Sequence, residues 1–316
     1  MMNEKPVILD TDMSPDSWMA ILYLARCPDV ALRAITVAGT GESHGSRGAR
    51  NALALLTLAG KPNIPVTYGR KTPLRGKHSF PLIMRYAMDI MLGLSLPSSP
   101  NPPTGPAAVE LLTSLIQSSP QKTILVAVGP LTNVAETLGA QPALVDKLEM
   151  IYIMGGAVDV PGNIRAVAMW NRNSVAEWNI YCDPYAANLV FESGAPITLV
   201  PLDVTNQVPL TLAFYNRLEA DRVTPEAGFV HKILSRLKPT IRTHEYYFWD
   251  PLTAAVATDE NLAMFRRRRL KVIHEEGLES GRTLATDSGA DIRVCTAVDN
   301  ARFEQVFLDT LNGRFA

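Results

Sequence analysis

The start of the chain constrains the fold most. Residues 7–9 form a short apolar run that ends in the acidic segment 10–12, and a second apolar series follows at 18–22. Between them, Ser14 is a residue type preferred at a helix N-cap, and Pro15 suits the first helical position. The segment therefore predicts a buried strand that is followed directly by a helix.

Three carboxylates of this segment, Asp10, Asp12 and Asp16, gather where the predicted strand ends. Such a cluster does not stabilise a fold, because like charges repel and removing them from water costs still more. A hard cation or a polyol substrate would account for them, since calcium and magnesium take oxygen ligands. A capped, solvated helix start is the alternative interpretation of Asp12 and Asp16.

Apolar runs that end in glycine or polar residues recur along the chain. They lie at 34–38, 123–128, 150–154 and 197–200. Their continuous apolar character is typical of parallel strands that are covered on both faces. Helical patterns at 107–117 and 184–192 lie between them. This alternation predicts an α/β fold with an open, mostly parallel central sheet, helices on both faces, and a ligand site at the carboxyl ends of the strands.

The length and composition favour one domain. With 316 residues, 47% of them hydrophobic, the chain is long enough to bury a large core. We predict a single domain over 1–316, with flap-like insertions at about 71–105 and 209–249. We expect the first insertion to be a loop or flap, because it ends in a proline-rich stretch, and the second to be helical.

The last part of the chain suggests smaller elements. A basic run at 266–269 precedes an apparent strand at 270–274, and it suits a solvated surface segment better than an anion or partner site. A hairpin is expected around 276–282 and a final helix at 303–311.

Charge and cysteine content limit the partners and the location. The formal net charge of -1 implies no general attraction to nucleic acid or membrane. Cys27, Cys182 and Cys295 are widely spaced, form no metal motif and suit a reducing compartment. No apolar stretch reaches the ~18 residues of a membrane span and no signal peptide is recognisable, so we expect a cytoplasmic protein.

Seven short motifs occur in a fixed order. They are Asp-Thr-Asp at 10–12, Gly-Pro-Leu-Thr-Asn at 129–133, Met-Gly-Gly at 154–156, Gly-Asn at 162–163, Ala-Glu-Trp-Asn at 176–179 followed by Asp-Pro at 183–184, Pro-Leu-Asp-Val-Thr at 201–205, and Asp-Pro at 250–251. Together they resemble the inosine–uridine preferring nucleoside hydrolase family, from about residue 6 to 312. The resemblance implies an enzyme that hydrolyses the N-glycosidic bond of ribonucleosides, and a homodimer or homotetramer.

The resemblance also implies a calcium-dependent mechanism. Asp12 would ligate a tightly held calcium ion and accept a proton from the attacking water. The backbone carbonyl of Thr132 and the side chain of Asp250 would be further ligands. This chemistry is reasonable, because a metal-bound water is a stronger acid than bulk water and a carboxylate can accept its proton.

A second group of residues would hold the ribose hydroxyls. By the same resemblance these are Asp16, Asn163, Glu177 and Asn179. Contacts to the 2-hydroxyl and surrounding anions would stabilise an oxocarbenium-like transition state. Alternatives remain open, because both asparagines also suit turns, Glu177 suits a surface salt bridge, and Asp250 before a proline suits a helix N-cap.

The chain departs from the family pattern at several positions. Ser17 stands where the family has a second aspartate that grips calcium with both oxygens, so a charged ligand is replaced by a neutral hydroxyl. Thr40 replaces a ribose-binding asparagine, and Trp249 replaces a histidine proposed as leaving-group acid in some members. A flap histidine corresponds loosely to Asp89. Trp249 instead suits stacking on a base.

Two residues of the loop after Thr40 are weighed as substitute ligands. Glu42 or His44 would have to reach into the site, and solvated side chains are the expectation for both. The incomplete metal set leaves three functions open. They are a nucleoside hydrolase with a weakened or exchanged ion, a hydrolase of another furanoside, and a ribose- or nucleoside-binding protein without turnover.

Overall fold

The computed structural model describes residues 4–315. The strands are β1 Lys5–Thr11, β2 Val30–Val37, β3 Val66–Tyr68, β4 Thr123–Val128, β5 Leu148–Met154, β6 Ile197–Val200, β7 Ala263–Val272, β8 Thr283–Ala285 and β9 Ala290–Val298. They form one sheet in the order β3-β2-β1-β4-β5-β6-β9-β7-β8. All neighbours from β3 to β9 are parallel, and β7 pairs antiparallel with β9 and β8. The prediction of an open, mostly parallel sheet is confirmed.

Helices connect the strands and cover both faces of the sheet. They are α1 Pro15–Arg26, α2 Gly45–Leu58, α3 Leu82–Asp89, α4 Ala108–Ser118, α5 Thr132–Ala140, α6 Ile164–Val167, α7 Trp178–Cys182, α8 Pro184–Glu192, α9 Leu202–Thr205, α10 Leu212–Asp221, α11 Pro225–Arg242, α12 Trp249–Thr258 and α13 Asn300–Asn312. Short 3-10 segments lie at Met91–Gly93, Pro142–Lys147 and Glu260–Leu262. None of the helices described is long and apolar enough to cross a membrane.

The alternation of side chains along β1 divides the core into two layers. Val7 and Leu9 belong to one apolar cluster, and Ile8 belongs to the other. This is the period of two that a strand buried on both faces imposes. The first cluster includes Trp18 of α1, and the second includes Val134 of α5. Both layers fix the sheet, and with it the positions of the strand ends.

The start of α1 follows the expected pattern. Ser14 is the N-cap, with its side chain accepting a hydrogen bond from the backbone N–H of Ser17, and Pro15 is the first helical residue. Trp18 anchors the turn, because its Nε1 donates to the carbonyl of Met13 at 2.8 Å. The strand-to-helix transition at 11–15 is therefore rigid and buried.

Two expectations about the chain's periphery are wrong. The basic run at 266–269 lies within β7 and not before a strand. It is tolerated there because the strand is largely exposed and its arginines reach acids, with Arg267 2.9 Å from Asp291 and Arg268 2.8 Å from Asp159. The insertion at about 71–105 is not loop alone, since it contains α3.

Other expectations are confirmed. Helices α10 and α11 occupy most of the second insertion, β7 and β8 form the hairpin, and α13 includes the final helix. The segments predicted as insertions lie beside the carboxyl ends of the parallel strands, where side chains from both line one cavity.

Candidate active site

A cavity of about 520 Å³ opens at the carboxyl ends of β1, β2, β4 and β5. One wall is acidic and the other is aromatic and apolar. Asp12, Glu42, Val128 and Met154 reach it from the ends of these four strands or the loops that follow them. The arrangement is the one expected of an open α/β sheet, whose ligands bind beyond the carboxyl ends of its strands.

Asp12 lies at the bottom of the acidic wall. Its Oδ1 accepts hydrogen bonds from the backbone N–H of Ser14 and the hydroxyl of Ser17, each at 3.2 Å. Its Oδ2 accepts from the backbone N–H of Glu42 at 3.2 Å. Burial, reinforced by the charge of Asp16, raises the pKa of Asp12 to about 7. A carboxylate with such a pKa is suited to accept a proton near neutral pH.

Asp16 and Asp250 stand beside Asp12 and are linked by hydroxyl groups. The Ser14 hydroxyl lies 2.8 Å from Asp16 Oδ1, and the Ser17 hydroxyl lies 2.5 Å from Asp250 Oδ2. Asp16 also accepts from the Tyr246 hydroxyl at 3.1 Å and from the backbone N–H of Asp250 at 3.3 Å. The alternative of a solvated helix start does not hold, because all three acids are buried.

Burial opposes ionisation of the acids in this wall, and no basic side chain among the described residues offsets that effect. Asp12, Asp16 and Asp250 take part in no ion pair within residues 4–315. Burial and the neighbouring Asp16 and Asp12 charges hold the pKa of Asp250 well above its usual range. Buried acids of this kind favour either protons or a cation.

The donor chemistry of this wall fits a hard cation. Across the part of the chain that the structure describes, no three His, Cys, Asp or Glu side chains are already grouped around an ion position. The hydroxyls of Ser14 and Ser17 instead lie between the carboxylates. Oxygen atoms from Asp12, Asp250 and Glu42 nevertheless border one cavity without a cationic partner, and such oxygens are the ligands that calcium prefers.

Three of the predicted ribose-binding residues line the same cavity as the acids. Glu177 caps α7, with Oε1 accepting from the N–H of Asn179 at 2.8 Å and Oε2 from those of Gly156 and Ile180 at 3.0 and 3.1 Å. Burial raises the pKa of Glu177 to about 7. Because Glu177 is buried, the surface salt bridge is excluded.

The two asparagines are held by backbone groups. Asn179 donates to the carbonyl of Met154 at 3.2 Å, and Asn163 accepts from the N–H of Trp178 at 3.1 Å. Both line the cavity. Each therefore presents the rest of its amide to a ligand from a fixed position.

Three other residues, Thr40, Thr132 and Asp10, lie outside the lining of the cavity. Thr40 pairs with Thr132 through their hydroxyls at 2.9 Å, and Thr132 also donates to Asp183 at 2.8 Å. Asp10 accepts from Thr36 and from Asn133. None of these side chains lines the cavity. The roles of Thr40 and of the Thr132 carbonyl stay predictions.

The second wall is built from the two insertions. Trp249 packs against Tyr246 and Tyr247, with ring centroids 4.9 and 5.5 Å apart. Phe80 stacks on Trp178 at 4.5 Å on another side. Methionines of α3 complete this wall. A flat heterocycle would find aromatic faces here, which bind bases of any hydrogen-bond pattern.

Sequence reasoning did not assign Tyr246 to the site, and it favoured a solvated Glu42 over a ligand. Tyr246 lies in the aromatic series 246–249, and its position just before the late Asp-Pro pair was a usable signal. Glu42 was expected to be solvated, and that expectation is wrong, because the residue is 9% exposed and lines the cavity. His44 does not line the cavity, and its Nδ1 lies 2.7 Å from Asp89 Oδ2.

Comparison with known proteins finds relatives along nearly the whole chain. A sequence model described as inosine-uridine preferring nucleoside hydrolase matches residues 7–305. The pyrimidine-specific ribonucleoside hydrolase RihA of Salmonella arizonae is 37% identical over 218 residues, covering 68% of this chain and 66% of that protein. RihA of Shewanella oneidensis is 38% identical over 218 residues, covering 68% and 64%. The aligned parts thus span slightly less than two thirds of these relatives.

Solved structures match over the full length. A plant nucleoside hydrolase superposes with a TM-score of 0.85 at 29% identity, covering 98% of this chain and 99% of that one. A purine-preferring ribonucleoside hydrolase from Gardnerella vaginalis gives a TM-score of 0.82 at 27% identity, covering 99% and 100%. The relatives thus include proteins named for opposite base preferences.

Proposed function

This chain belongs to the inosine–uridine preferring nucleoside hydrolase family, and we propose that it hydrolyses the N-glycosidic bond of a ribonucleoside to ribose and free base. The observation that carries the proposal is the cavity itself. Buried carboxylates, aromatic side chains and the polar residues Asn163, Glu177 and Asn179 all line it. A ribose with an attached base presents hydroxyls, a reacting carbon and a flat ring, which these three kinds of side chain suit.

Asp12 is the proposed catalytic base. In the reaction, the oxygen of a water molecule bonds to the anomeric carbon, and the bond from that carbon to the base nitrogen breaks with its electron pair leaving on the base. The water gives a proton to the Asp12 carboxylate. Two backbone N–H groups donate to this carboxylate and the Ser17 hydroxyl lies 3.2 Å from it, so little reorganisation accompanies the transfer.

Asp12, Asp250 and the carbonyl of Thr132 are the residues that would hold a calcium ion. When bound, the ion would lower the pKa of the attacking water. The chain's own contribution is to orient the acids, through the Ser14 and Ser17 hydroxyls, and to exclude bulk solvent from them. The missing second aspartate at position 17 removes one charge from this set.

Asp16, Asn163, Glu177 and Asn179 are the proposed ribose ligands, with Thr40 contributing from behind. Carboxylates bind vicinal hydroxyls well, because each oxygen accepts one O–H. Their negative charge also stabilises the positive charge that develops on the ring as the base departs. Trp249 would stack on the base.

We also propose a location and an assembly for the protein. We propose a cytoplasmic protein, because its three cysteines are buried free thiols, as a reducing compartment allows. We propose a homodimer or homotetramer, since helix α3 exposes Leu82, Ile83 and Tyr86 next to the cavity. Clustered exposed apolar side chains are a common feature of protein interfaces.

The testing experiment is hydrolysis of p-nitrophenyl β-ribofuranoside, with added calcium and with chelator in parallel. The p-nitrophenolate leaving group needs no acid, so the assay isolates the ribose and water half of the site. We expect calcium-dependent release of p-nitrophenol. Release that persists in chelator would remove calcium from the proposal, and no release in either condition would overturn ribosyl hydrolysis.

A second candidate function is ribose or nucleoside binding without turnover. The observation that favours it is the Ser17 hydroxyl, which lies between Asp12 and Asp250 where the family has a charged ligand. This function predicts thermal stabilisation by ribose or nucleosides without product. Hydrolysis of another furanoside would instead appear as activity on non-nucleoside glycosides.

A further inference from the structure

We propose that Glu42 supplies the carboxylate ligand that the cation site lacks at Ser17. The inference rests on the proposed function, because it concerns the cation of that same site. In this arrangement Glu42, in the loop that follows β2, provides the negative charge that Ser17 does not provide in the first turn of α1. Asp12, Asp250 and Glu42 then form the anionic set, with the Ser17 hydroxyl as a neutral neighbour.

The environment of Glu42 is the first argument. The residue is 9% exposed and lines the cavity together with Asp12, Asp16 and Asp250. Within residues 4–315, its carboxylate accepts no hydrogen bond and forms no ion pair, whereas the other three acids each accept at least two hydrogen bonds. No protein group in the described part of the chain compensates the charge of this nearly buried acid, which is open only to the cavity. A cation in the cavity would supply the missing interaction.

The second argument is that the loop carrying Glu42 is held tightly against Asp12. The backbone N–H of Glu42 donates to Asp12 Oδ2 at 3.2 Å, and that of Ser43 donates to the Asp12 carbonyl at 3.1 Å. A Cβ at Gly41 would lie 2.1 Å from the Asp12 Cβ. Only a glycine allows this approach, so the contact between the loop and Asp12 is a specific feature of the sequence.

A buried arginine fixes the same loop from the other side. Arg85 of α3 donates to the carbonyls of Gly39 and Ser43 at 2.7 and 2.8 Å. Its guanidinium thus binds the loop backbone and leaves the Glu42 carboxylate free. Glu42 is therefore positioned by four backbone contacts while its charged group faces the cavity.

The charge balance is the third argument. Replacing an aspartate by Ser17 removes one negative charge, and Glu42 restores one. Calcium affinity follows the number and charge of the oxygen ligands. Since Ser14 and Ser17 occupy the space beside Asp250, a longer side chain entering from the opposite loop is a suitable way to restore the ligand.

The test is calcium binding by isothermal titration calorimetry, with calcium-induced thermal stabilisation as a second readout. The proteins are the wild type, Glu42→Gln, Ser17→Asp and the double variant, with Glu149→Gln as a control at an exposed acid outside the cavity. We expect Glu42→Gln to weaken calcium binding at least about tenfold. Ser17→Asp should restore it in the double variant, and Glu149→Gln should bind as the wild type does.

The outcomes separate this inference from the proposed function. Unchanged calcium binding in Glu42→Gln would overturn the inference alone. Loss of binding that Ser17→Asp fails to rescue would also count against it, because the two positions would not be exchanging one ligand. A wild type that releases p-nitrophenol but binds no calcium would overturn both the inference and the proposed ion, and would leave the hydrolase intact.

Thermal melting in chelator checks that the variants fold. Glu42→Gln should melt at or above the wild-type temperature, since it removes a buried carboxyl group without a partner.

Discussion

Ser17 donates a hydrogen bond to Asp250 Oδ2 at 2.5 Å, joining two residues that are 233 positions apart in the sequence. The contact ties the first turn of α1 to the first turn of α12, and the two helices pack along their length. The Ser17 hydroxyl also lies 3.2 Å from Asp12 Oδ1. One neutral group therefore links two neighbouring acids that would otherwise repel each other.

Ser17→Ala should destabilise the calcium-free protein. The substitution removes a buried hydrogen bond to Asp250, and such bonds contribute about 0.5–3 kcal/mol, the upper part of the range applying to a charged acceptor. Urea unfolding in chelator should show a loss of that size. The exposed Ser288→Ala serves as control and should change stability by less than about 0.5 kcal/mol. Equal unfolding midpoints for Ser17→Ala and wild type would show that the hydroxyl does not stabilise the acid pair.

Asp12→Asn should abolish most turnover and leave the fold intact. The amide keeps the size of the carboxylate but cannot accept a proton from water, and general-base catalysis contributes about 10²–10⁴-fold. We expect kcat on p-nitrophenyl β-ribofuranoside to fall by at least about 10²-fold. The exposed Asp146→Asn is the matched control and should retain full activity. Wild-type kcat in Asp12→Asn would assign the base to another residue.

Trp249→Ala should weaken substrate binding more than it slows the chemical step. Stacking of a base on an aromatic ring contributes about 1–3 kcal/mol, so KM for a nucleoside should rise about 5- to 100-fold while kcat changes less. Trp249→Phe should retain most of the affinity. Trp170→Ala, at a side chain 75% exposed, is the control for loss of a tryptophan. An unchanged KM in Trp249→Ala would place the base elsewhere in the cavity.

Much of the fold follows directly from local sequence. The apolar runs before 10–12, 129–133 and 154–156 are continuous because the strands are buried on both faces, and their glycine and polar ends fall at the sheet's carboxyl edge. The arginine run at 266–269 misled because β7 is an exposed strand, where hydrophobic periodicity is weak. Because these side chains are charged, the hydrophobic pattern does not reveal where the strand begins.

The position of Glu42 could not be read from its neighbours in the chain. Its loop contacts Asp12 only because β1 and β2 are adjacent, Gly41 lacks a side chain, and Arg85 reaches across from α3. Each of these features depends on residues that are distant in the sequence and close together only in the folded protein. By contrast, Trp249 and Tyr246 lie in an aromatic series beside a motif, so their presence in the site could be predicted more easily.

Gly41→Ala should impair both folding and activity. Its new Cβ would lie 2.1 Å from the Asp12 Cβ, so either the loop or the carboxylate of Asp12 must move. Overpacking of this kind costs about 1–3 kcal/mol, and misplacing a catalytic group by about 1 Å costs about 10²-fold in rate. Gly139→Ala is the control, because nothing lies within 4 Å of a Cβ there. It should be neutral or slightly stabilising, since alanine favours helix. Normal kcat in Gly41→Ala would show that the loop can yield without disturbing Asp12.

The calcium-free protein should lose stability as the pH rises from about 5 to 8. Burial raises the pKa of Glu177 to about 7, against the ordinary glutamate value of 4.5 that the unfolded chain keeps. Between these values the folded state binds a proton that the unfolded state does not, so stability falls with increasing pH. One such group contributes at most about 1.4 kcal/mol per pH unit. Thermal melting in chelator at pH 5.5 and 8.0 measures the change.

The control is Glu177→Gln, which carries no charge at position 177 at either pH. Its melting temperature should therefore fall less between the two pH values than that of the wild type. The fall that remains comes from Asp10 and Asp12, because burial also raises their pKa values to about 7. A fall of the same size in both proteins would mean that Glu177 is already ionised at pH 5.5, held so by the three N–H groups that it accepts from.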